Sequence, residues 1–454
     1  MMGTSGISIC RFRFSVILCL FFLIYYQQIF TIHIGGSLKI YECLLVVLLF
    51  LSLPQPAVSD GICFLLFFFF VICPFMGLIL YYTEIVNPEG YYYRFPEARQ
   101  WQRFNPWIAP ILICFYDLLN WVGFNTISGS ELVYKNQNRL IRVFIFSGVL
   151  VILYSFYAHM MVYRFGFPDI IPDFLDSRNA RPEHEPRISG FSAEPGTFIF
   201  LLAWMLLYLI WKKHLFQNYV RWALILLVLS AIMMTSSSAI LALVFAFIFC
   251  GFLCASGLVL RRMILSSLLV CSAIFMAKDH PDLHAMRYAF GEKIIYFLSG
   301  ARHTNDSGAM RHYTSRLGIE LLRDYPVFGV GSGNSYFHLW QYEFATETIP
   351  TIERISHSMP PQNAHAKILA ERGFLGYGFL LAFFFSIVMK FRRKRREGNI
   401  SSSDFFLGIT SSMMFFLMMF SVYPVYSFFL WINTALLNNQ LNFCGTVTGD
   451  SRNE

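Results

Sequence analysis

Apolar stretches of membrane-spanning length alternate with short polar segments along most of this chain. A spanning helix needs about 20 predominantly apolar residues, because the hydrocarbon core of a bilayer is about 30 Å thick. Stretches that meet this requirement predict about twelve transmembrane helices. They lie at about residues 14–31, 39–56, 61–82, 106–125, 140–163, 195–211, 220–235, 237–256, 262–277, 367–390, 404–422 and 425–440. We therefore predict an all-α fold, that of a polytopic helical membrane protein.

The amino-acid composition agrees with this pattern. Of the 454 residues, 56% are hydrophobic and 14% are charged, whereas a soluble domain carries about 25% charged residues. The net charge of +8 arises mainly from short basic connections between the predicted helices. Because such basic connections commonly orient membrane helices, nucleic acid is not an expected partner.

Basic residues in the short connections predict the orientation of the chain. The positive-inside rule assigns such connections to the cytoplasmic side. The cytoplasmic connections are then 135–142, 212–221, 261–262 and 390–396, and the outward connections are 83–105, 164–194 and 278–366. Arg11 and Arg13 precede the first apolar stretch, and no signal-peptidase pattern follows it, so we expect a retained first helix and a cytoplasmic N-terminus. About twelve spans return the C-terminus to the same side.

These assignments divide the chain into four parts. An N-terminal transmembrane bundle, residues 1–277, includes the outer loop 164–194. A large outer loop at 278–366 forms a small subdomain, and transmembrane helices at 367–440 precede a cytoplasmic tail at 441–454. A loop as long as 278–366 commonly carries function, so we expect the chemistry there.

Side chains that suit anionic oxygens concentrate in this large outer loop. Arginine presents a planar fork of donors that matches the geometry of a phosphate. The candidates are Arg302, His303, Arg311, His312, Arg316 and Arg323. The next segment, Pro326 to Gly333, is rich in glycine but lacks the Lys-Ser/Thr ending of a nucleotide phosphate loop. We expect it to fold the loop against the membrane helices.

Three further positions each have a structural and a functional interpretation. Glu194 stands at the predicted start of a helix, where a carboxylate caps the N-terminus, orients an acceptor hydroxyl or pairs with Arg187. His365 follows Asn363 at another predicted helix start, as a hydrogen-bonded structural residue or as a general base. Asp117, within a predicted span, is expected to face the bundle interior.

No metal ion or cofactor is expected from the sequence. Most of the ten cysteines lie inside or at the edges of apolar stretches, without the spacing of a disulfide framework or a metal site. An Asp-x-Asp pair, a zinc motif, a haem motif and a Ser-His-Asp arrangement are all absent from the sequence.

Three elements, taken in order, resemble a known family. The first is Gly-Phe-x-x-Glu-Pro at 190–195, and the second is Leu-Leu-Arg-Asp-Tyr-Pro-Val-Phe-Gly-Val-Gly-Ser-Gly at 321–333. The third is Asn-x-His-x-x-x-Leu-x-Glu-x-Gly-Phe-Leu-Gly at 363–376. From about Ser189 to Trp431 the chain resembles the O-antigen ligase/polymerase family of bacterial integral membrane proteins, which includes the Wzy-type polymerases.

The resemblance implies a metal-independent glycosyltransferase with a helical membrane fold of the C type. Its donor would be a glycan on undecaprenyl pyrophosphate, used at the periplasmic face of the inner membrane. Expected partners are membrane lipids and a chain-length regulator and flippase of the same pathway. The resemblance and the side-chain chemistry above together predict two sets of residues. The predicted catalytic residues are Arg187, Glu194, Arg311 and His365, and the predicted substrate-binding residues are Arg302, Arg316, Arg323 and Asn363.

Two activities of this family are distinguished by small sequence features. The family often has His-Asn where this chain has Gln362-Asn363, and His365 is turned about 200° from Asn363 on a helix. This departure, with the Gly-Phe-x-x-Glu-Pro element, favours a polymerase, which moves a growing chain onto the next lipid-linked repeat. A ligase, which moves the chain onto a lipid A core, is the near alternative.

Two other classes remain as alternatives. One is a transporter or flippase, which is expected to have polar residues and broken helices near the middle of the membrane. Here the charges concentrate in outer loops. The other is a structural partner in glycan assembly, which would tolerate the loss of Arg187 and Arg311 together.

Overall fold

The computed structural model describes a large part of the chain. The described residues are 3–26, 31–33, 37–52, 59–85, 108–171, 190–191, 195–234, 246, 307–335, 338, 361, 363–420 and 428–444. Within them the protein is helical apart from one small hairpin, in which Thr31–His33 (β1) pairs antiparallel with Ser37–Lys39 (β2). This hairpin joins the first two helices and is the one departure from the predicted all-α class in the part described.

Most of the helices lie in the predicted apolar stretches, whereas α10 lies in the predicted outer loop. In chain order they are α1 Gly3–Leu23, α2 Ile40–Ser52, α3 Gly61–Phe67, α4 Cys73–Ile85, α5 Ile108–Ser128, α6 Glu131–Lys135, α7 Gln137–Tyr157, α8 Pro195–Trp211, α9 Asn218–Met233, α10 Ser307–Asp324, α11 Ala364–Arg396, α12 Ser402–Met418 and α13 Ile432–Phe443. A π-helical turn, Phe68–Ile72, joins α3 to α4, and another, Ala158–Arg164, extends α7. Short 3₁₀ turns occur at Lys213–Leu215 and Phe428–Leu430.

Four of the described helices are long and apolar enough to cross a membrane. They span Gly61–Leu80, Pro110–Ser128, Gln137–Arg164 and Ala364–Arg396, and four shorter apolar helices accompany them. The chain is therefore a membrane protein, as the sequence predicts. The total of about twelve spans stays a prediction, because the predicted helices at 237–256 and 262–277 lie outside the described residues, apart from residue 246.

Aromatic side chains fill much of the core between these helices. Trp431 is fully buried, and its ring lies 4.8 Å from that of Phe70 and 4.9 Å from that of Phe415. Edge-to-face pairs of this kind each contribute about 0.5–1.5 kcal/mol beyond their burial. In contrast, Phe374 and Phe385 on α11 are more than 60% exposed, as expected for side chains that face lipid.

One end of the bundle gathers the residues that the sequence assigns to the cytoplasmic side, and we call it the inner end. Lys390 of α11 donates a 2.8 Å hydrogen bond to Asp60, which caps the start of α3. Lys212, just after α8, forms a 2.6 Å ion pair with Asp404 of α12. Two of the predicted cytoplasmic connections therefore meet at the same end, which supports the grouping in the predicted orientation.

Candidate functional site

Helix α11 is broken at Gly373, close to its outer end. Gly373 has φ +63° and ψ −168°, a conformation that is essentially restricted to glycine. The break divides α11 into a first half-helix from Ala364 to Arg372 and a long second half-helix from Phe374. A break in a membrane helix exposes backbone N–H and C=O groups, which need partners where lipid excludes water.

The glycine turn, which we define as residues 326–335, supplies these partners. It lies along the break and exchanges four backbone hydrogen bonds with it: Val330 N–H to Ala370 O at 3.0 Å, Gly331 N–H to Glu371 O at 3.0 Å, Phe374 N–H to Pro326 O at 2.7 Å and Leu375 N–H to Val327 O at 3.1 Å. The turn thus replaces the missing helical hydrogen bonds, and the predicted packing of this segment on the membrane helices is confirmed.

Close backbone contact explains why glycine recurs here. A Cβ on Gly77 of α4 would lie 2.7 Å from the backbone nitrogen of Gly331, and one on Gly331 would lie 2.9 Å from that of Leu78. A Cβ on Gly373 would overlap the carbonyl group of Val327. The turn therefore packs against two membrane helices at a distance that larger residues do not permit.

A fully buried ion pair lies beside the break. Arg372 donates from Nη2 to Asp117 Oδ1 of α5 at 2.7 Å, and the two side chains are 2% and 0% exposed. Ser332 of the glycine turn donates to the other carboxylate oxygen of Asp117 at 2.7 Å. The guanidinium carbon also lies 4.2 Å from the ring centre of Phe69. The prediction that Asp117 faces the bundle interior is confirmed.

A second buried carboxylate adjoins this pair. Glu371 accepts a 2.8 Å hydrogen bond from Ser335, and it is 3% exposed. We call Asp117, Ser332, Ser335, Glu371 and Arg372 the polar centre. Charged groups buried at membrane depth are costly, and they usually mark functional positions.

Helix α10, which lies in the predicted outer loop, packs beside this polar centre through apolar side chains. Leu317 and Leu321 of α10 form a buried cluster with Val330 of the turn and Ala370 of α11. Gly318 comes so close to α11 that a Cβ on it would lie 3.2 Å from the carbonyl oxygen of Ala366. Helix α10 therefore has a defined position against the first half of α11.

Two of the predicted substrate-binding arginines lie on the exposed side of α10. Arg316 and Arg323 are seven residues apart, so they share one face, and both are exposed. Arg323 forms an ion pair with Glu320, which lies on the same side. These three side chains therefore lie on or near one face of α10.

The other predicted arginines are placed only in part. The backbone of Arg311 lies in α10, seven residues before Gly318, and this spacing puts its position on the side of the helix that meets α11. It therefore lies on a different face from Arg316. Arg187, Glu194 and Arg302 lie outside the described residues, so their predicted roles stay predictions.

Asn363 and His365 are engaged within the protein. Asn363 caps α11, since its Oδ1 accepts a 2.9 Å hydrogen bond from the backbone N–H of His365. The imidazole is 4% exposed, with Nε2 3.0 Å from the carbonyl oxygen of Phe416 and Nδ1 3.2 Å from the hydroxyl of Tyr377. These partners assign the proton to Nε2, and Nδ1 then accepts from Tyr377. To act as a base, His365 would exchange the Tyr377 bond for one to a substrate.

Sequence reasoning did not select Glu371 or Arg372 as site residues. A signal was present, because both charges lie inside the predicted span 367–390, where ionisable side chains are rare and usually functional. Among the described residues no group of three or more His, Cys, Asp or Glu side chains is arranged to hold a metal ion.

One comparison with known proteins bears on this region. A family model described as O-antigen ligase matches residues 222–381, about a third of the chain. The matched segment contains α10, the glycine turn and the break in α11. The match confirms the resemblance to the O-antigen ligase/polymerase family that the sequence elements indicate. No curated protein matches the chain.

Proposed function

We propose that this protein is a membrane glycosyltransferase that polymerises lipid-pyrophosphate-linked oligosaccharide repeats into O-antigen, capsule or exopolysaccharide. The observation that carries the glycan transfer is the match of residues 222–381 to the O-antigen ligase family, since this segment holds the arginine-bearing helix α10 and four of the five residues of the polar centre beside it. The choice of a polymerase rests on the Gly-Phe-x-x-Glu-Pro element and on Gln362-Asn363 in the sequence. The donor is a glycan on undecaprenyl pyrophosphate, and the reaction takes place at the periplasmic face of the inner membrane.

The proposed reaction exchanges a bond between the anomeric carbon and pyrophosphate for a glycosidic bond. A hydroxyl of the incoming lipid-linked repeat attacks the anomeric carbon of the growing chain. The bond from that carbon to the pyrophosphate of its own carrier breaks, and its electron pair leaves with the pyrophosphate. A base takes the hydroxyl proton. The protein's main task is to stabilise the charge that develops on the pyrophosphate and to align the two glycans, so preorganised cations account for the catalysis.

In this proposal the predicted residues divide by task. Arg187 and Arg311 bind the pyrophosphate or the incoming glycan, and Glu194 or His365 takes the proton. Arg302, Arg316, Arg323 and Asn363 bind the substrate. The exposure of Arg316 and Arg323 supports their part, because a ligand can reach them from outside α10. The polar centre fixes the position of this helix.

A ligase is the second candidate, and one observation favours it. The matching family model is described as O-antigen ligase. In a ligase the same donor would lose its whole polysaccharide to a different acceptor. The donor side of the site would be unchanged, so only the acceptor distinguishes the two reactions.

A flippase is less well supported than either enzyme. The structure does add features that transporters use, a broken helix and a buried ion pair, to charges that the sequence places mainly in outer loops. However, backbone hydrogen bonds from the glycine turn close the break. Gly373 also precedes most of the apolar part of α11, so the break lies near the outer end of the span.

Deletion of the gene in its own host tests the proposed function. Surface polysaccharide is separated on a gel, and lipid-linked glycans are extracted in parallel. We expect the ladder of long chains to disappear while single repeats remain attached to the acceptor. Full-length chains that accumulate on the lipid carrier, with no repeat on the acceptor, would identify a ligase. An unchanged ladder would contradict both enzymes.

A further inference from the structure

Two serine side chains of the glycine turn form hydrogen bonds to different membrane helices. Ser335 bonds to Glu371 of α11, the helix on which the turn already lies. Ser332 donates a hydrogen bond to Asp117 of α5, a different membrane helix. Ser332 also lies 3.3 Å from Nη2 of Arg372, so it contacts both members of the ion pair.

We propose that Ser332 is a positioning residue, which holds α10 and its arginines in register with the membrane bundle through Asp117 and Arg372. This inference rests on the proposed glycan transfer, because the position of α10 matters only if its arginines bind the substrate. It concerns a residue that does not itself touch the reacting atoms.

The connection from Ser332 to α10 is short and stiff. The turn follows directly from the end of α10, where Tyr325 N–H bonds to Leu321 O at 3.1 Å and Gly329 N–H bonds to Tyr325 O at 3.2 Å. Leu321 and Val330 then pack in one buried cluster. A displacement of the turn therefore moves α10 with it, and the exposed Arg323 lies in the last turn of that helix.

Burial makes the Ser332 hydrogen bond selective for one arrangement. Ser332 is 1% exposed and Asp117 is 0% exposed, so in this arrangement the hydroxyl, rather than bulk water, donates to the carboxylate oxygen. A buried carboxylate oxygen that loses its donor is unfavourable, and the bond therefore favours the position in which the turn contacts α5. The Asp117–Arg372 pair supplies a fixed partner, since it is held between two membrane helices.

The variant Ser332→Ala isolates this contact, because it leaves the Asp117–Arg372 pair in place. Ser412→Ala is the matched control, since Ser412 is also buried but its hydroxyl bonds to Gly408 O within its own helix α12. Both full-length variants are purified and reconstituted in liposomes. The substrate is lipid-linked oligosaccharide extracted from a strain of the same host that lacks this gene. Turnover, KM and the thermal midpoint are measured for each.

We expect Ser332→Ala to lower kcat about tenfold at an unchanged amount of folded protein, because misalignment of bound reactants acts mainly on turnover. KM should stay within about twofold, and Ser412→Ala should match the wild type. In an Arg311→Lys background the effect of Ser332→Ala should shrink, since both changes act on arginines that α10 carries.

Three results would overturn the inference. Equal kcat for Ser332→Ala and wild type removes the positioning role. A drop in the thermal midpoint that accounts for all lost activity makes the role merely structural. The same fractional loss in the Arg311→Lys background shows that Ser332 does not act through α10. If the wild type forms no polymer from this substrate, the proposed function fails instead, whatever the variants do.

Discussion

At both ends of the bundle a basic residue of α11 meets an aspartate from another helix, but the two contacts differ in their surroundings. At the inner end Lys390 meets Asp60 with side chains 17% and 16% exposed, and Asn438 and Asn442 share the contact. At the polar centre Arg372 meets Asp117 with side chains 2% and 0% exposed.

The backbone around these two pairs differs as well. α11 runs unbroken past Lys390, whereas beside Arg372 it is interrupted and completed by the glycine turn. The inner pair joins helix ends, and its side chains stay partly exposed to water, so its desolvation cost is low. The outer pair carries a large desolvation cost, which apolar residues of similar size would avoid. The inner contact therefore stabilises the bundle, while the outer one maintains a particular arrangement of loop and helix.

The largest effect on stability is expected from Arg372→Ala. It leaves Asp117 buried without its cation, and breaking a buried pair in this way costs about 3–5 kcal/mol. We expect little folded protein and a strongly lowered thermal midpoint in detergent. Arg323→Ala, which removes one member of the exposed pair with Glu320, serves as control. A midpoint for Arg372→Ala equal to that of the control would show that the polar centre does not hold the outer end together.

The next largest loss of stability is expected from Gly373→Ala. Its backbone conformation alone costs a residue with a Cβ about 1–3 kcal/mol, and the new methyl group would overlap Val327. We expect lower stability and loss of activity, because the turn can no longer lie on the break. Gly378→Ala is the control five residues along α11, where a Cβ meets nothing within 4 Å. That variant should be neutral or slightly stabilised, and equal behaviour of the two would contradict the account of the break.

Removal of the inner ion pair should lower stability by a smaller amount, and this amount should depend on pH. Burial raises the pKa of Asp60, but the Lys390 ammonium and the hydrogen bonds outweigh burial and leave this pKa below its usual value. The contribution is therefore complete above the unfolded pKa, about 3.9, and is lost as the pH falls through the folded pKa. Asp60→Asn should lower stability at pH 7 by about 1–2 kcal/mol, between the values for exposed and buried pairs.

Thermal midpoints of the wild type and Asp60→Asn from pH 7 down to pH 3 check this prediction. The difference between the two proteins should narrow only in the acidic part of the range. A difference that is constant over the whole range would show that the charge on Asp60 contributes nothing.

The smallest effect on stability is expected at the exposed face of α10. Arg323→Ala should change the free energy of unfolding by at most about 0.5 kcal/mol, since exposed pairs contribute little. Long-chain polysaccharide should nevertheless decrease if Arg323 binds the substrate. Glu320→Ala removes the same ion pair but keeps the cation. Equal loss of polymer in both variants would point to the ion pair rather than to substrate binding.

The helices could be predicted from the sequence because hydrophobic length fixes them. α5, α7 and α8 lie close to the predicted stretches, and Asp117 was expected to face inward for a physical reason, the cost of a charge in lipid. The glycine turn was expected to pack on the bundle. These inferences depend on local pattern, which a single sequence displays.

The break in α11 could not be predicted from the sequence in this way. Gly373 stands inside the predicted span 367–390, directly after Glu371 and Arg372, and glycine occurs in many intact membrane helices. What decides its conformation is a turn some 40 residues earlier, which offers the missing hydrogen bonds. The partner of Asp117 was hidden for the same reason, since Arg372 is 255 residues away along the chain.

The most direct test of the proposed function replaces Arg311 by alanine in a host that lacks the chromosomal gene. Arg139→Ala is the control, because Arg139 is exposed at the start of α7, in a predicted cytoplasmic connection. Variant amounts in the membrane are matched by immunoblot, and surface polysaccharide is separated on a gel. We predict that Arg139→Ala restores the full ladder and that Arg311→Ala leaves single repeats. An unaltered long-chain ladder with Arg311→Ala would contradict the proposal that arginines of the outer loop carry the glycan transfer.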